Sequence, residues 1–598
     1  MSTASQSPRA AAEGSKKGYN RLLLFVAGLG GLLFGIDVGI ISGALPYLEA
    51  TSGLNAGELS FIVAAVLLGG LISTVFAGAL ADLIGRKSLM TVSGILFVVS
   101  VPWIALSHGY GALIWGRLLQ GTSGGFISVA APLYLAECLA ASDRGKGAGI
   151  FQWLLTLGFV AAAGIGLYFS ARVDEVRHLG DAAKLFAFQD RAWRSIFWLT
   201  LPPGILFVVG SFLVSESPRW LFRRGKKEAA LRSLLRSRSE AQARIEYAEM
   251  EQLAGQKPST DDVPPVRRES LLQRKYLVPF ALACIILSCN QATGVNSVIA
   301  FNANILLQAG LSDKEAHVGY LLLTIVNFLV TIIAIVLVDR VGRKFLLSVG
   351  TSGVIVFLVA VGFIFHRTES RRVDVHDAVQ AMVVTSNQTA VIPFNQETAA
   401  KWLAGRDGAT DPRPKSLIVI YSYGDFHAAT KTVRSDDIGA KVTITREKSI
   451  PATKVAAFFN NPFASLDAAR VAPLKIQNAL VTPVPTEANG WLTAVCIFCF
   501  MAFFAVGPGV VVWLALSELL PTRIRSNGMS VAMLLKSIVS TTIAAIFLPF
   551  VGQYGYSAMF FGFAACTVVY FVTATFFLPE TKGKTLEEIE AWFAGKKP

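Results

Sequence analysis

From Leu22 to Leu48 the chain is apolar except for one carboxylate, Asp37. Runs of this kind recur along the sequence. Twelve stretches, at about 20–45, 58–80, 88–107, 111–136, 147–170, 194–214, 277–308, 316–338, 345–366, 491–519, 526–549 and 556–578, match the roughly 20 apolar residues that a membrane-crossing helix needs. Hydrophobic residues make up 53% of the 598 and charged residues 16%. That leaves too little polar surface for a water-soluble protein of this length. The pattern predicts an all-α membrane protein with twelve transmembrane helices.

Two polar segments interrupt the pattern. In 215–276, "KKEAALRSLLR" and "EAQARIEYAEMEQL" have helical spacing and predict short helices that join two groups of six apolar stretches. Residues 367–490 differ: "SLIVIYSYG" and "AKVTITRE" read as strands and "NQETAAKWLAG" as a helix. This segment is large enough to be a small α+β domain. The expected organisation is an N-terminal six-helix bundle (1–214), a helical linker (215–276), helices seven to nine (277–366), an insert domain (367–490), helices ten to twelve (491–579) and a tail (580–598).

Charge sets the expected orientation. Arg9, Lys16, Lys17 and Arg21, then Arg86, Lys87, Arg144, Lys146, Arg340, Arg343, Lys344, Arg523 and Arg525, all fall on one side of the predicted helices. Loops 46–57, 108–110 and 550–555, on the other side, carry no Lys or Arg. Basic loops stay cytoplasmic. The sequence therefore predicts cytoplasmic termini, an extracytoplasmic insert and residence in a cell membrane, taken to be a bacterial inner membrane. The net charge of +14 mostly records this bias and the basic linker. It does not indicate nucleic acid, because no basic face interleaves with aromatics. The first apolar stretch is too long for a signal peptide and lacks a small-residue cleavage site. Cys138, Cys284, Cys289, Cys496, Cys499 and Cys566 read as small membrane-buried side chains; the Cys496–Cys499 spacing sits in an apolar stretch without ligand partners. No metal site is expected.

The loops repeat. "DLIGRK" (82–87) follows the second stretch and "DRVGRK" (339–344) the eighth; Glu137–Arg144 and Glu518–Arg525 follow the fourth and tenth with the same spacing. Two similar six-helix halves form the parallel repeat of the major facilitator architecture, with the substrate site between them near the midplane. Gly85 and Gly342 permit the tight turns. Asp82, Arg86, Glu137, Arg144, Asp339, Arg343, Glu518 and Arg525 lie where paired charges can latch the cytoplasmic side and bias two access states.

The motifs resemble the sugar porter family of the major facilitator superfamily. The matching strings are "GRLLQGTSGGFISVAAPLYLAE" (116–137), "RGK" (144–146), "SESPRWL" (215–221), "QATGVN" (291–296), "DRVGRK" (339–344), "GPGVVVWLALSELLPTRIRS" (507–526) and "PETKGKTLEEIE" (579–590). They span nearly the whole chain outside 367–490. The resemblance implies alternating-access transport of a monosaccharide or similar polyol. It places substrate contacts on Gln152, Asn290, Gln291, Asn296, Asn327 and Trp513. Amides offer donors and acceptors to hydroxyls, and an indole face can stack on a sugar ring. Ser215, Val510 and Val512 depart from the family's prolines. In helix eleven, Lys536–Ser537 replaces a polar–aromatic pair, which makes Lys536 a further candidate contact.

Between their loop ends, the twelve stretches carry three charged side chains, Asp37, Arg117 and Lys536. At 1.5 Å per residue, Asp37 lies ~24 Å beyond Arg21 and Arg117 ~30 Å before Glu137, so both sit at similar depth in the outer half. An opposite charge offsets the cost of burial, at least ~2.5 kcal/mol for an ionised Asp. Proton-coupled sugar porters resemble this sequence at both positions. Asp37 is therefore expected to exchange a proton during transport, with Arg117 as its partner. Lys536, ~16 Å beyond Arg525, is near the midplane. It is neutral, shares Asp37, or meets an anionic substrate. The leading reading is sugar–proton symport by a chain that functions as a monomer in the lipid bilayer, with the proton as coupling ion and no cofactor. A facilitative uniporter and a transporter-like sugar sensor are the alternatives. No catalytic triad, metal cluster or phosphate loop suggests an enzyme.

Overall fold

The computed structural model describes residues 7–139, 144–255, 273–405, 411–430, 432–437, 440–450, 464–511, 519–520, 525–580 and 592–593. Eleven helical spans among them are long and apolar enough to cross a membrane. A twelfth, Tyr110–Cys138, is equally long but carries buried Arg117, Gln120 and Glu137. In chain order the membrane helices are helix 1 (Ser7–Ser52), helix 2 (Ala56–Ile84), helix 3 (Arg86–Ala105), helix 4 (Tyr110–Cys138), helix 5 (Arg144–Arg177) and helix 6 (Ala182–Trp198, continued by Leu201–Leu213). The second half has helix 7 (Arg274–Ala292, Val295–Ala300 and Asn302–Gln308), helix 8 (Asp313–Val341), helix 9 (Arg343–Glu369), helix 10 (Glu487–Phe504, ending in a wide turn at Ala505–Gly509), helix 11 (Arg525–Tyr554) and helix 12 (Tyr556–Val572). This is an all-α membrane fold of two six-helix bundles carrying a small α+β insert.

Helix 5 outruns its apolar stretch to Arg177, and helix 6 begins at Ala182, well before its own. Polar residues continue both where the chain has left the apolar layer. Helix 9 likewise runs through His366 and Arg367 to Glu369, and helix 10 starts at Glu487. Helices 1 and 5 meet along glycines. A Cβ at Gly35 would overlap the Leu155 carbonyl, and one at Gly158 would overlap that of Leu32. Small residues let two membrane helices touch backbone to backbone. Large apolar side chains such as Phe76, Trp115, Ile333 and Phe363 point outward, as a lipid-facing surface requires. Cys138 and Cys496 are buried inside the protein and Cys566 is exposed on the surface of helix 12, and all six cysteines are free.

The repeat is visible in how helices 2 and 8 begin and end. Each opens with a reciprocal capping box, Asn55 with Glu58 and Ser312 with Glu315. Each ends at a glycine in a conformation that L side chains rarely adopt, Gly85 at φ +102° and Gly342 at φ +106°. A carboxylate from the end of each half then caps the next helix. Glu216 accepts from the Lys87 and Ser88 N–H groups at 3.0 and 3.4 Å. Glu580 accepts from those of Arg343 and Lys344, both at 3.1 Å.

Between the halves, Pro218–Arg223, Lys227–Ser237 and Glu240–Gly255 form the linker helices. They lie against the first half: Arg238 donates to the Cys138 and Leu139 carbonyls, and Asn20 to that of Ser237. The insert has strands β1 (Val373–Asp374), β2 (Val383–Val384), β3 (Thr389–Pro393), β4 (Lys415–Tyr423), β5 (Phe426–Ala429), β6 (Val433–Arg434), β7 (Lys441–Ile444) and β8 (Leu474–Pro483). One antiparallel sheet runs β1-β8-β4-β5 with β6 also on β4; a second runs β2-β3-β7. The strands read from sequence at β4 and β7 and the helix at Gln396–Leu403 are present. Its core, around Phe394, Leu417, Tyr421 and Ile476, is separate from the bundle core. Val373 pairs with Val481, which holds the insert's two ends together above helices 9 and 10.

Candidate functional site

Helix 7 appears in the sequence as one apolar stretch but is broken at Gly294 (φ +80°), whose open face is filled by the Phe563 ring. Three predicted contact positions, Asn290, Gln291 and Asn296, flank this break. Asn290 donates to the Pro508 carbonyl of helix 10 at 2.9 Å. Gln291 donates to the Asn290 Oδ1 at 2.8 Å, and Asn296 to the Gln291 Oε1 at 2.7 Å. The Asn296 amide also donates to the Ser540 Oγ of helix 11 at 2.8 Å. The break lets residues on either side of it join one amide chain that ties helix 7 to helices 10 and 11. Lys536 lies four residues before Ser540, on the same face of helix 11, and is half-buried.

Gln152 and Asn327 are half-buried on helices 5 and 8. Their chain neighbours Trp153 and Phe328 have rings 5.5 Å apart, so the two helices meet at this level. No contact joins Gln152 or Asn327 to the amide chain among the described residues. Trp513 and Glu518 lie outside the described residues, as do the side chains of Arg144, Asp339 and Arg525.

Asp37 and Arg117 face each other inside the first half at 3.8 Å, each with a side-chain exposure of 1%. Arg117 donates to Gln120 at 2.7 Å, and its guanidinium lies 5.6 Å from the Phe197 ring centre. Neither Asp37 oxygen has a hydrogen-bond donor among the described residues. The carboxylate is held by charge and not by a hydrogen-bond cage, an arrangement open to proton exchange.

On the linker side, the charged loop residues pair within the first half. Arg86 meets Asp82 at 2.8 Å and Glu137 at 2.9 Å. Arg223 of the first linker helix approaches Asp82 and Glu137 at 3.6 Å each, and Ser217 donates to Glu137. Arg343 reaches the Val338 carbonyl at 3.2 Å. None of these contacts crosses between the halves.

The halves also touch on the opposite, insert side, through residues the sequence reading did not single out. Asp313 accepts from Tyr47 at 2.9 Å and from Ser170 at 3.0 Å. Tyr320 donates to the Gly39 carbonyl at 2.8 Å. His317 stacks on Tyr47 with ring centres 5.7 Å apart. Asn304 donates to Glu49 at 2.8 Å, and the Leu548 N–H to Ser60 at 2.9 Å. Gly39, Gly43 and Tyr47 recur every four residues on one face of helix 1, which was the available signal. The pathway is therefore closed on the insert side.

The family model "Sugar (and other) transporter" matches residues 23–387 and 472–593, skipping most of the insert. The chain is similar to the "Glucose transporter GlcP" of Staphylococcus epidermidis, at 25% identity over 96% of this chain and 97% of that one. It is also similar to the human "Proton myo-inositol cotransporter", at 26% identity over 94% and 80%. Among solved structures it resembles the inward open conformation of the xylose transporter XylE from E. coli, with TM-score 0.63, 20% identity and coverage of 96% and 100%. With two six-helix bundles, an amide cluster at a broken helix and a family match over both halves, the chain belongs to the sugar porter family of the major facilitator superfamily.

Proposed function

We propose that this protein carries a monosaccharide or related polyol together with a proton, by alternating access, with the insert outside the cell and both termini in the cytoplasm. The observation that carries proton coupling is the Asp37–Arg117 pair, buried at 3.8 Å with no hydrogen bond to the carboxylate. A static structural pair in a membrane core is normally hydrogen-bonded, because each unmet polar atom there is costly. The named activities of similar proteins, a proton–myo-inositol cotransporter and an arabinose–proton symporter, agree with it. Asn290, Gln291, Asn296, Gln152, Asn327, Trp513 and Lys536 are the proposed sugar contacts. Asp82, Arg86, Glu137 and Arg343, with Arg144, Asp339, Glu518 and Arg525, are the proposed cytoplasmic latch.

Opening the outside pulls helix 8 off helix 1 two residues beyond Asp37, at the Tyr320–Gly39 bond. That movement connects access at the insert side to the environment of the carboxylate. Asp37→Asn keeps size and hydrogen bonding but removes the titratable group. In proteoliposomes with an imposed pH gradient, the variant should lose uphill accumulation while retaining sugar counterflow. Undiminished accumulation by Asp37→Asn would overturn proton coupling through this residue.

A further inference from the structure

We propose that the cleft between the insert and the helix ends is a second binding site, for a small polyhydroxylated molecule on the outer side, assembled only while the halves are closed there. It rests on the orientation given above for the transporter, but not on the identity of the transported sugar. The cleft's inner cavity is about 80 Å³, and it widens to about 780 Å³ when its open mouth is included. Its walls come from three bodies: Glu49 from the first half, Asn304 and Tyr556 from the second, and Thr430, Thr432 and Thr482 from the insert.

The chemistry of the walls selects hydroxyl groups. Asn304 is 9% exposed; its amide nitrogen is bound to Glu49, but its Oδ1 has no hydrogen-bond partner among the described residues and can take a donor. An unmet buried acceptor is destabilising, and a ligand O–H would relieve it. The insert wall offers threonine hydroxyls. Opposite lie the stacked rings of Phe365 and Tyr556, with centres 4.9 Å apart, an apolar face suited to the C–H side of a sugar ring. The obvious anion is already used: Glu369 accepts from the Tyr556 N–H, from Ser557 and from Arg372. With that carboxylate engaged, alternating acceptors and hydroxyls over an aromatic floor fit a polyol or saccharide better than a cation.

The site is coupled to the transport cycle by its construction. The Asn304–Glu49 bond joins the two halves, while β5 packs on helix 2 of one half and helix 11 of the other, with Ala429 against Gly552. Opening the outer side separates Glu49 from Asn304 and dismantles the cleft. A ligand bound there favours the closed state only. External ligand should therefore slow uptake at high concentration, beyond the saturation of the transport site.

Two measurements on the full-length protein test this. In hydrogen–deuterium exchange, D-glucose, D-xylose, myo-inositol and maltose are added in turn. At least one should protect peptides covering 302–308 and 415–432, and Thr432→Val/Thr482→Val should abolish that protection. Protection confined to the segment around 290–296, or none at 302–308 and 415–432 with any of the four, overturns the site. Loss of protection at 290–296 with protection retained in the cleft would instead count against the sugar-contact assignment. In uptake by oriented proteoliposomes, the high-concentration inhibition should move at least tenfold in the double variant. An inhibition limb unmoved by the substitutions, or a plain hyperbola in the native protein, overturns the coupling.

Discussion

The Tyr47 hydroxyl donates a 2.9 Å hydrogen bond to the Asp313 carboxylate, joining helix 1 of one half to helix 8 of the other. Ser170 of helix 5 donates to the same oxygen at 3.0 Å. A carboxylate that collects donors from two helices of the opposite half fixes closure at one point. Hydrogen bonds to a charged group contribute ~1.5–3 kcal/mol each, so Tyr47→Phe should shift the equilibrium toward opening on the insert side by roughly tenfold or more. Spin labels at Ser52 and Lys314 would report it as a longer distance component. An unchanged distribution would show that closure is held elsewhere.

The break in helix 7 places a second prediction. Gly294 combines φ +80° with an aromatic ring where a Cβ would stand. Gly294→Ala must strain the backbone and displace Phe563, at a cost of ~1–3 kcal/mol for the backbone alone. It should disorganise the amide chain from Asn290 to Asn296 and lower sugar affinity at least tenfold while the protein still inserts and closes on the insert side. Counterflow half-saturation measures it; native affinity in the alanine variant would separate the break from the site.

Much of this architecture is legible in the sequence because membrane helices must satisfy their own backbone and show apolar surface to lipid. The twelve runs, the paired "DxxGRK" loops and the β4 and β7 strands follow from that and from alternation. Other features are not legible, for specific reasons. Asp313 precedes its apolar run and reads as loop, yet it is buried against helix 1. Glu216 and Glu580 sit in strings with different neighbours, and their common role appears only when each meets the helix after Gly85 or Gly342. The break at Gly294 depends on Phe563, far along the chain. Asp37 and Arg117, by contrast, stand out because burying a charge in lipid is costly, and they do face each other.

The insert should have its own acid limit. Arg413 binds both Asp411 oxygens through charge-assisted hydrogen bonds and holds that carboxyl well below the usual carboxylate range. A depressed folded value contributes stability above the unfolded value, near ~3.9 for Asp, and that stability is lost as pH falls below it. Exchange protection of β4 should therefore weaken below about pH 4, and Asp411→Asn should lower it at neutral pH while flattening the acid dependence. An acid response identical in both proteins would assign the limit to other groups.

Lys536 offers the test of substrate class. It lies one helical turn from Ser540, which already binds the Asn296 amide, so a lysine borders the proposed sugar contacts. A carboxylate on the substrate would meet a charge-assisted partner there, of ~1.5–3 kcal/mol. Hexuronates should then compete with the corresponding hexoses for transport. Lys536→Gln replaces the cation with an amide that offers hydroxyls both a donor and an acceptor. It should shift preference toward the neutral sugar by roughly tenfold or more, since 1.4 kcal/mol is one decade. The comparison needs both sugars in each protein, because a loss common to the two would report damaged packing. Equal competition by hexuronate and hexose, unchanged in Lys536→Gln, would mean that the ammonium does not meet the substrate. The lysine would then be neutral or have its charge balanced within the bundle, and the amides alone would set the preference.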